Sequence, residues 1–330
     1  MRVVIHVGAH KTGTSLVQKY IRDNPEMAQA LGIAQISRTD GDLLVDWGQY
    51  LHERPEGLRS RLEEEAEKGP TVILFSHENT LGKPFLPDRP GLYPDASRCA
   101  EALAGICDGF DTYVVFYVRP MADFLESYYI QTVQEGLVHS FAEWYGTLEG
   151  PLRWTPVVEA LEGAFGADRV MVGDFSEIAA GQNEFLRLFM TRTGIPQPPS
   201  VKYKPIHNPS ISARGLQIAL DINPYLHDDD ERMLVRRFLQ KHFSNQVEDR
   251  ARPMPEELRR SITDQTAADF ERLASRAAAG LVTPPEPAPV TKTTPRGVTS
   301  KPPVNATRRG RTLRRRARRV VNRVRARARR

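Results

Sequence analysis

The sequence predicts an α/β protein in which a mainly parallel sheet is flanked by helices, followed by a helical C-terminal portion and a disordered basic tail. Four short runs of apolar residues, at 2–7, 71–76, 113–118 and 169–174, alternate with helix-sized segments. Runs that are apolar on both faces are typical of parallel strands covered by helices on both sides. Residues after about 196 show loops and helices only. Within the alternating part, the apolar spacing predicts helices at 15–22, 59–68, 96–107, 121–134, 157–165 and 182–193.

Charged residues are unevenly distributed along the chain, with an acidic body and a basic C-terminal segment. The net charge is +5, but residues 1–280 carry 30 Lys+Arg against 40 Asp+Glu, whereas residues 281–330 carry 16 against 1. Seven prolines and few large apolar side chains predict an extended linker at 281–307, and thirteen arginines follow between 308 and 330. We therefore predict one α/β domain over 1–280, a Pro/Thr-rich linker and an Arg-rich tail. Because the body is acidic, the chain as a whole is not a basic nucleic-acid binder.

Several classes of protein are excluded by composition. No apolar run approaches the ~20 residues that span a bilayer, and the first residues lack the cleavage site of a signal peptide. Two cysteines, Cys99 and Cys107, provide neither a disulfide framework nor a four-cysteine zinc site. A cytoplasmic globular protein without a metal centre is expected.

The first strand runs directly into the segment GAHKTGTS at residues 8–15. Two glycines separated by four residues, then two hydroxyl residues and a helix, are typical of a phosphate-binding loop. Glycines let backbone N–H groups turn toward an anion, and the helix N terminus adds positive potential. A nucleotide triphosphatase would place lysine directly after the second glycine, where this chain has Thr14, and its lysine is Lys11 inside the loop.

The segment from His10 to Leu16 resembles the 5′-phosphosulfate loop of sulfotransferases that use 3′-phosphoadenosine 5′-phosphosulfate (PAPS). The resemblance implies that PAPS, without a metal, is the co-substrate. It implies binding by Lys11, Thr12, Gly13, Thr14 and Ser15. Lys11 would stabilise the departing phosphate while the sulfuryl group moves in line to the acceptor.

A second segment is similar to the 3′-phosphate motif of the same family. Arg119 ends the third predicted strand, and Ser127 follows eight residues later on the next helix. A guanidinium and a hydroxyl together suit an isolated phosphate. A late basic loop, with Lys204 and Asn208, matches the place where family members cover the nucleotide.

The catalytic base has three candidates. Glu78 follows the second buried strand, at the position where glycan-type members of the family carry a catalytic glutamate. His77 and His10 compete with it, because imidazole titrates near neutral pH.

The acceptor is expected to be a hydroxyl or amine of a glycan or small molecule. One alternative is a P-loop kinase that uses ATP. Another is a binding module acting through the Arg-rich tail, which would contact nucleic acid or an anionic membrane surface and place the protein at the inner face of the membrane. The tail is equally interpretable as a dispensable extension.

Overall fold

Parallel strands form the sheet of this computed structural model, which describes residues 1–196 and 209–279. Within those residues the sheet has five strands in the order β2-β3-β1-β4-β5. All four neighbouring pairs run parallel. The strands are β1 (Arg2–Gly8), β2 (Ile33–Ile36), β3 (Val72–Ser76), β4 (Asp111–Val118) and β5 (Val170–Asp174). The predicted α/β class is therefore confirmed.

Helices flank this sheet and make up the later part of the described chain. They are α1 (Thr14–Arg22), α2 (Pro25–Ala30), α3 (Arg38–Val45), α4 (Tyr50–Glu53), α5 (Pro55–Glu67), α6 (Ala96–Ile106), α7 (Met121–Gln134), α8 (Phe141–Tyr145), α9 (Thr155–Phe165), α10 (Gln182–Thr193), α11 (Ala213–Ile222), α12 (Asp229–His242) and α13 (Glu256–Ala279). The six helices that periodicity predicts correspond to α1, α5, α6, α7, α9 and α10. The predicted helical C-terminal portion corresponds to α11, α12 and α13.

β1 lies at the centre of the sheet, between β3 and β4. His6 is in register with Ser76, and Gly8 with Phe116. The chain leaves β1 toward α1 and later adds strands on either side of β1, so the strand order reverses there. Ligands of open parallel sheets bind where the carboxyl ends of the strands meet at such a reversal. The segments that follow β1, β3 and β4 therefore share one edge of the sheet.

Alternate side chains of the strands fill two apolar layers. Val4, Leu74 and Val115 pack in one buried cluster with residues of α1 and α10. On β4, Tyr117 belongs to that cluster, whereas the neighbouring Phe116 contacts Trp154 at the start of α9, with ring centroids 5.7 Å apart. Successive side chains of a strand point to opposite faces, so these contacts place helices on both sides of the sheet.

The described residues group into two compact units. The first contains the sheet and comprises residues 1–128, 145–196 and 254–279. The second comprises residues 129–144 and 209–253. Within this second unit, the side-chain amide of Asn223 donates hydrogen bonds of 2.7 Å to the carbonyl oxygens of Val133 and Leu137. These bonds join the two segments of the unit.

Some sequence predictions lie outside the described residues. They are the nucleotide-covering loop with Lys204 and Asn208, the linker at 281–307 and the Arg-rich tail at 308–330. They remain predictions.

Candidate functional site

The segment between β1 and α1, which we call the opening loop, is held in an unusual backbone conformation. β1 is buried along its whole length, and α1 begins directly after Gly13. Lys11 has a φ of 63° and Gly13 a φ of 89°, both in the left-handed region. A Cβ atom at Gly13 would also lie 3.2 Å from the ring of Phe185. Glycine is therefore required at this position by conformation and by space.

Hydrogen-bond donors collect where the opening loop meets α1. Among the described residues, the backbone N–H groups of 12–15 donate to no acceptor. The hydroxyl oxygen of Thr14 is buried and has no partner in this part of the chain, whereas the hydroxyl of Thr12 donates to the carbonyl oxygen of Ala9 at 2.6 Å. The N terminus of a helix carries positive potential. The loop thus presents several N–H groups and one buried hydroxyl suited to an anion.

Arg119 lies at the same edge of the sheet, directly after β4. Its Nη1 donates to the carbonyl oxygen of Lys11 at 2.9 Å, and its guanidinium carbon lies 5.1 Å from the ring centroid of Phe175. The backbone oxygen of Arg119 accepts a hydrogen bond of 2.8 Å from the indole N–H of Trp154. The guanidinium of Arg119 is therefore bonded to the backbone of the opening loop, and the side chain and the backbone of Arg119 are both held by hydrogen bonds.

Ser127 occupies a half-buried position on α7. Within the described chain no hydrogen bond joins its hydroxyl to Arg119. The structure places Ser127 on the helix that the sequence predicts, α7.

Glu78 begins the 3₁₀ segment Glu78–Leu81 that follows β3. It lies against the start of the opening loop, because a Cβ atom at Gly8 would be 3.7 Å from the Cα of Glu78. One carboxylate oxygen is 3.2 Å from Nη2 of Arg38. The other oxygen is buried and has no hydrogen-bond partner among the described residues. The site therefore contains a buried carboxylate oxygen whose hydrogen-bonding capacity is unused among the described residues.

The charge state of Glu78 is set by opposing effects. Burial raises the pKa of this carboxyl, but the Arg38 guanidinium and the backbone N–H of Glu78 itself act in the other direction, and the pKa is lowered overall. Glu78 is therefore ionised at neutral pH.

His77 is buried and bonded on both ring nitrogens. Its Nε2 is 2.9 Å from a carboxylate oxygen of Asp42 on α3, and its Nδ1 accepts from the backbone N–H of Asn79 at 3.3 Å. Because Nδ1 accepts, Nε2 carries the hydrogen and donates to Asp42. Burial lowers the pKa of His77. In this arrangement the ring caps the turn that begins with Glu78.

His10 is also bonded on both ring nitrogens. Its Nδ1 is 2.7 Å from the hydroxyl of Tyr93, which also accepts from the backbone N–H of His10. Its Nε2 is 3.1 Å from the side-chain oxygen of Asn79. The ring stacks on Trp47, with centroids 5.5 Å apart and planes 3° from parallel. Burial lowers the pKa of His10 to about 4, so the ring is neutral and shapes the loop.

Three residues of the site are not apparent from sequence reasoning: Arg38, Trp47 and Tyr93. Arg38 follows the short strand β2 and belongs to no motif. Trp47 and Tyr93 both have positive φ, at 55° and 50°, which is uncommon for aromatic residues. Trp47 precedes Gly48, and a glycine at this place is a local sequence signal of a tight turn.

Two negative findings apply to the residues that the structure describes. None of their His, Cys, Asp and Glu side chains form a group of three or more that could hold a metal ion. None of their helices combines the length and the apolar character needed to cross a membrane.

Comparison with known proteins gives one structural likeness. No protein-family model matches the chain, and no curated protein matches it. A crystal structure of a sulfotransferase from Alicyclobacillus acidocaldarius matches with 18% sequence identity and a TM-score of 0.39, covering 67% of this chain and 91% of that chain. The function is therefore inferred from the residues of the site.

Proposed function

We propose that this protein is a sulfotransferase that moves the sulfuryl group of PAPS to a hydroxyl or amine of an acceptor. One observation carries the proposal. The guanidinium of Arg119 and the lysine-bearing opening loop are in contact, with 2.9 Å between Nη1 of Arg119 and the oxygen of Lys11. Two cationic residues at one sheet edge suit a nucleotide with phosphates at two separate corners.

The opening loop would hold the 5′ end of the donor. Its candidates are Lys11, Thr12, Gly13, Thr14 and Ser15. The backbone N–H groups of 12–15 and the buried Thr14 hydroxyl lack acceptors within the described residues, and a phosphate would supply them. PAPS brings an activated sulfuryl group whose transfer leaves negative charge on that phosphate. Lys11 would stabilise this charge.

Arg119 and Ser127 would bind the 3′-phosphate. A guanidinium has five N–H donors in a planar fork, so it can hold the Lys11 carbonyl and a phosphate at the same time. Ser127 follows on α7 and is half-buried. Lys204 and Asn208 remain candidates for covering the nucleotide.

Glu78 is the base that the geometry favours. It is ionised, and one of its buried oxygens has no partner among the described residues. His77 and His10 use both ring nitrogens in hydrogen bonds within the protein, and we assign them to positioning the turn and the loop. Arg38 would orient Glu78 through its other oxygen.

The test is transfer of radiolabelled sulfate from PAPS to a panel of hydroxyl and amine acceptors. Lys11→Ala and Arg119→Ala are expected to abolish transfer. Arg22→Ala is the matched control, because its exposed side chain pairs with the neighbouring Asp23 and with no other acid among the described residues. Unchanged turnover in both site variants would overturn the roles assigned to them.

Nucleotide binding separates this proposal from the kinase alternative. Calorimetry with adenosine 3′,5′-bisphosphate and with ATP plus magnesium compares the two ligands directly. We expect the bisphosphate to bind more tightly, because only it has the extra phosphate suited to Arg119. Tighter magnesium-dependent binding of ATP would favour a kinase, although Thr14 occupies the position of the usual lysine.

A further inference from the structure

The exposed apolar side chains of the described chain are concentrated in the second compact unit. This unit contains less than a quarter of the described residues. Five of the seven large apolar side chains that are exposed belong to it: Val138, Tyr225, Met233, Phe238 and Val247. Single exposed apolar side chains are ordinary, whereas several in one small unit favour a contact with another molecule. Two of the five lie on one helix, α12.

One face of α12 packs within the second unit. Gln240 donates from Nε2 to the side-chain oxygen of Gln134 at 3.0 Å, and Arg236 lies 3.5 Å from a carboxylate oxygen of Glu135. Leu239 is buried beside them. Residues three and four positions apart share one face of a helix, so Arg236, Leu239 and Gln240 define the inner face of α12.

The opposite face of α12, which we call the outer face, combines apolar and charged side chains. Met233 is 43% exposed and Phe238 is 54% exposed. The ring of Phe238 lies 4.9 Å from that of His242, which helps to hold it at the surface. The members of the outer face recur every three or four residues: Asp230, Met233, Leu234, Arg237, Phe238 and Lys241.

The order of these residues is complementary to itself when one copy is reversed. The centre of α12 lies between residues 235 and 236. Met233 and Phe238 are equally distant from this centre, and so are Asp230 and Lys241. A two-fold axis through the centre would place a second copy antiparallel to the first, with each residue level with its counterpart. Apolar side chains would then be level in the middle, and opposite charges at both ends.

The charges of α12 select the antiparallel arrangement. Its first turn carries three acids, and its last turn carries Lys241 and His242. In the part of the chain that the structure describes, no acid pairs with Arg237 or Lys241. A parallel pair would bring like charges level, and two parallel helix dipoles repel each other. The Arg-rich segment at 308–330 is a poorer occupant, because it would meet Arg237 and Lys241.

We propose that this protein forms a two-fold symmetric dimer in which the outer faces of two α12 helices pack antiparallel. The inference goes beyond the proposed function and does not depend on it. With 14 residues, α12 is about 21 Å long. Contacts of this size are at the small end of specific interfaces, so the dissociation constant should lie at about 1–100 µM.

The experiment is sedimentation equilibrium of the full chain. Protein concentrations from about 1 to 300 µM bracket the expected dissociation constant. We expect a reversible equilibrium between monomer and dimer. Comparison at about 50 and 500 mM salt should show weaker association at the higher salt, because exposed charge pairs are screened.

Charge reversal locates the contact and its direction. Asp230→Lys and Lys241→Asp each make the level charges alike, and each should weaken the dimer by at least about tenfold. An equimolar mixture of the two variant chains restores opposite charges at both ends, so it should form a heterodimer. The double variant D230K/K241D should dimerise as the unchanged chain does. Glu67→Lys is the matched control, because Glu67 is an exposed acid at the end of α5 in the first unit.

An apolar variant keeps the test independent of charge. Phe238→Ala should weaken the dimer by at least about tenfold, as truncation of a central aromatic contact does. Leu43→Ala is its control, since Leu43 is 72% exposed on α3 in the first unit. Far-UV circular dichroism checks that each variant folds. If Asp230→Lys does not fold, Lys241→Asp and Phe238→Ala still decide the question.

Three results would overturn the proposal. The first is a monomer at every concentration, whether the outer face stays open or another segment of the chain covers it. The second is a dimer that the outer-face variants leave unchanged, or one that the mixture of charge variants fails to restore. The third is association beyond a dimer, which would require a contact without two-fold symmetry.

Discussion

The Nη1 atom of Arg119 donates a 2.9 Å hydrogen bond to the carbonyl oxygen of Lys11, across 108 residues of sequence. The carboxyl ends of β1 and β4 are adjacent in the sheet, which makes this contact possible. It ties the backbone conformation of the opening loop to a cation on the next strand. The opening loop and Arg119, the candidate residue for binding the 3′-phosphate, are therefore structurally coupled.

Arg119→Lys separates the two tasks of this side chain. Lysine keeps the charge but loses the planar fork. We expect the affinity for adenosine 3′,5′-bisphosphate to fall by about tenfold to hundredfold, the value of hydrogen bonds to a charged group. The affinity for adenosine 5′-phosphate should change less, because that ligand lacks the 3′-phosphate. Calorimetry with both ligands measures the difference, and Arg22→Lys is the control. Equal losses for both ligands would mean that Arg119 acts only by holding the loop.

The sequence predicts this part of the site because its signals are local. Glycines at fixed spacing and a following helix identify the opening loop, and Arg119 stands at the end of an apolar run. Because parallel strands end at the same edge of a sheet, the sequence alone predicts Lys11 and Arg119 at the edge where the strands have their carboxyl ends.

Other features depend on tertiary contacts and leave no pattern. β2 is a four-residue edge strand with two half-buried residues, Ala34 and Gln35, so it lacks the continuous apolar run of the central strands. Arg38 reaches Glu78 only because β2 pairs with β3. Likewise, the turn after α3 places Trp47 against His10. The positions of the tryptophans in the sequence do not predict this contact.

Gly13→Ala tests the conformation of the opening loop. The new methyl group would meet Phe185 at 3.2 Å and would force a left-handed φ on alanine. The free energy of unfolding should fall by about 1–3 kcal/mol, and binding of adenosine 3′,5′-bisphosphate should weaken. Chemical denaturation and calorimetry measure the two effects. Gly163→Ala is the matched control, since this helical glycine has nothing within 4 Å of the added atom. Its expected effect is a gain of about 0.5–1 kcal/mol. Equal stability of the two variants would contradict the strain at Gly13.

Two buried histidines predict a loss of stability on mild acidification. Burial lowers the pKa of His6 and of His10 to about 4, from 6.5. The unfolded chain therefore binds more protons than the folded chain between these values. The stabilising effect is complete above pH 6.5 and is lost as the pH falls toward 4, by up to about 3 kcal/mol for each residue. The free energy of unfolding, measured by denaturant titration at several pH values, should decrease across this window. His10→Gln should make the decrease smaller. An unchanged slope in that variant would exclude His10 as a contributor.

Removal of residues 281–330, which lie outside the described part of the chain, tests the role of the basic segment. The deletion takes away 16 Lys+Arg and 1 Asp+Glu and leaves an acidic body. Sulfate transfer should be unaffected, whereas salt-sensitive binding to heparin or to anionic vesicles should disappear. A full chain with the thirteen tail arginines changed to lysine keeps the charge and should keep that binding. Loss of catalysis in the deleted chain would contradict an independent tail.

Arg38 and Glu78 predict how transfer depends on pH. The pKa of Glu78 is lowered although burial raises it, and the Arg38 guanidinium is the largest opposing influence. The ionised base should therefore persist until the pH falls below the ordinary value for glutamate, and kcat should decline only there. In Arg38→Ala the largest influence that opposes burial is removed, so the acidic decline of kcat should move to higher pH. Glu78→Gln should lower kcat by about 10²–10⁴-fold, the typical contribution of a general base. Its affinity for adenosine 3′,5′-bisphosphate should be unchanged. Rate profiles from pH 4 to 8 measure these effects, with Arg22→Ala as the control. If the acidic decline stays in place in Arg38→Ala, the titrating base is a group other than Glu78.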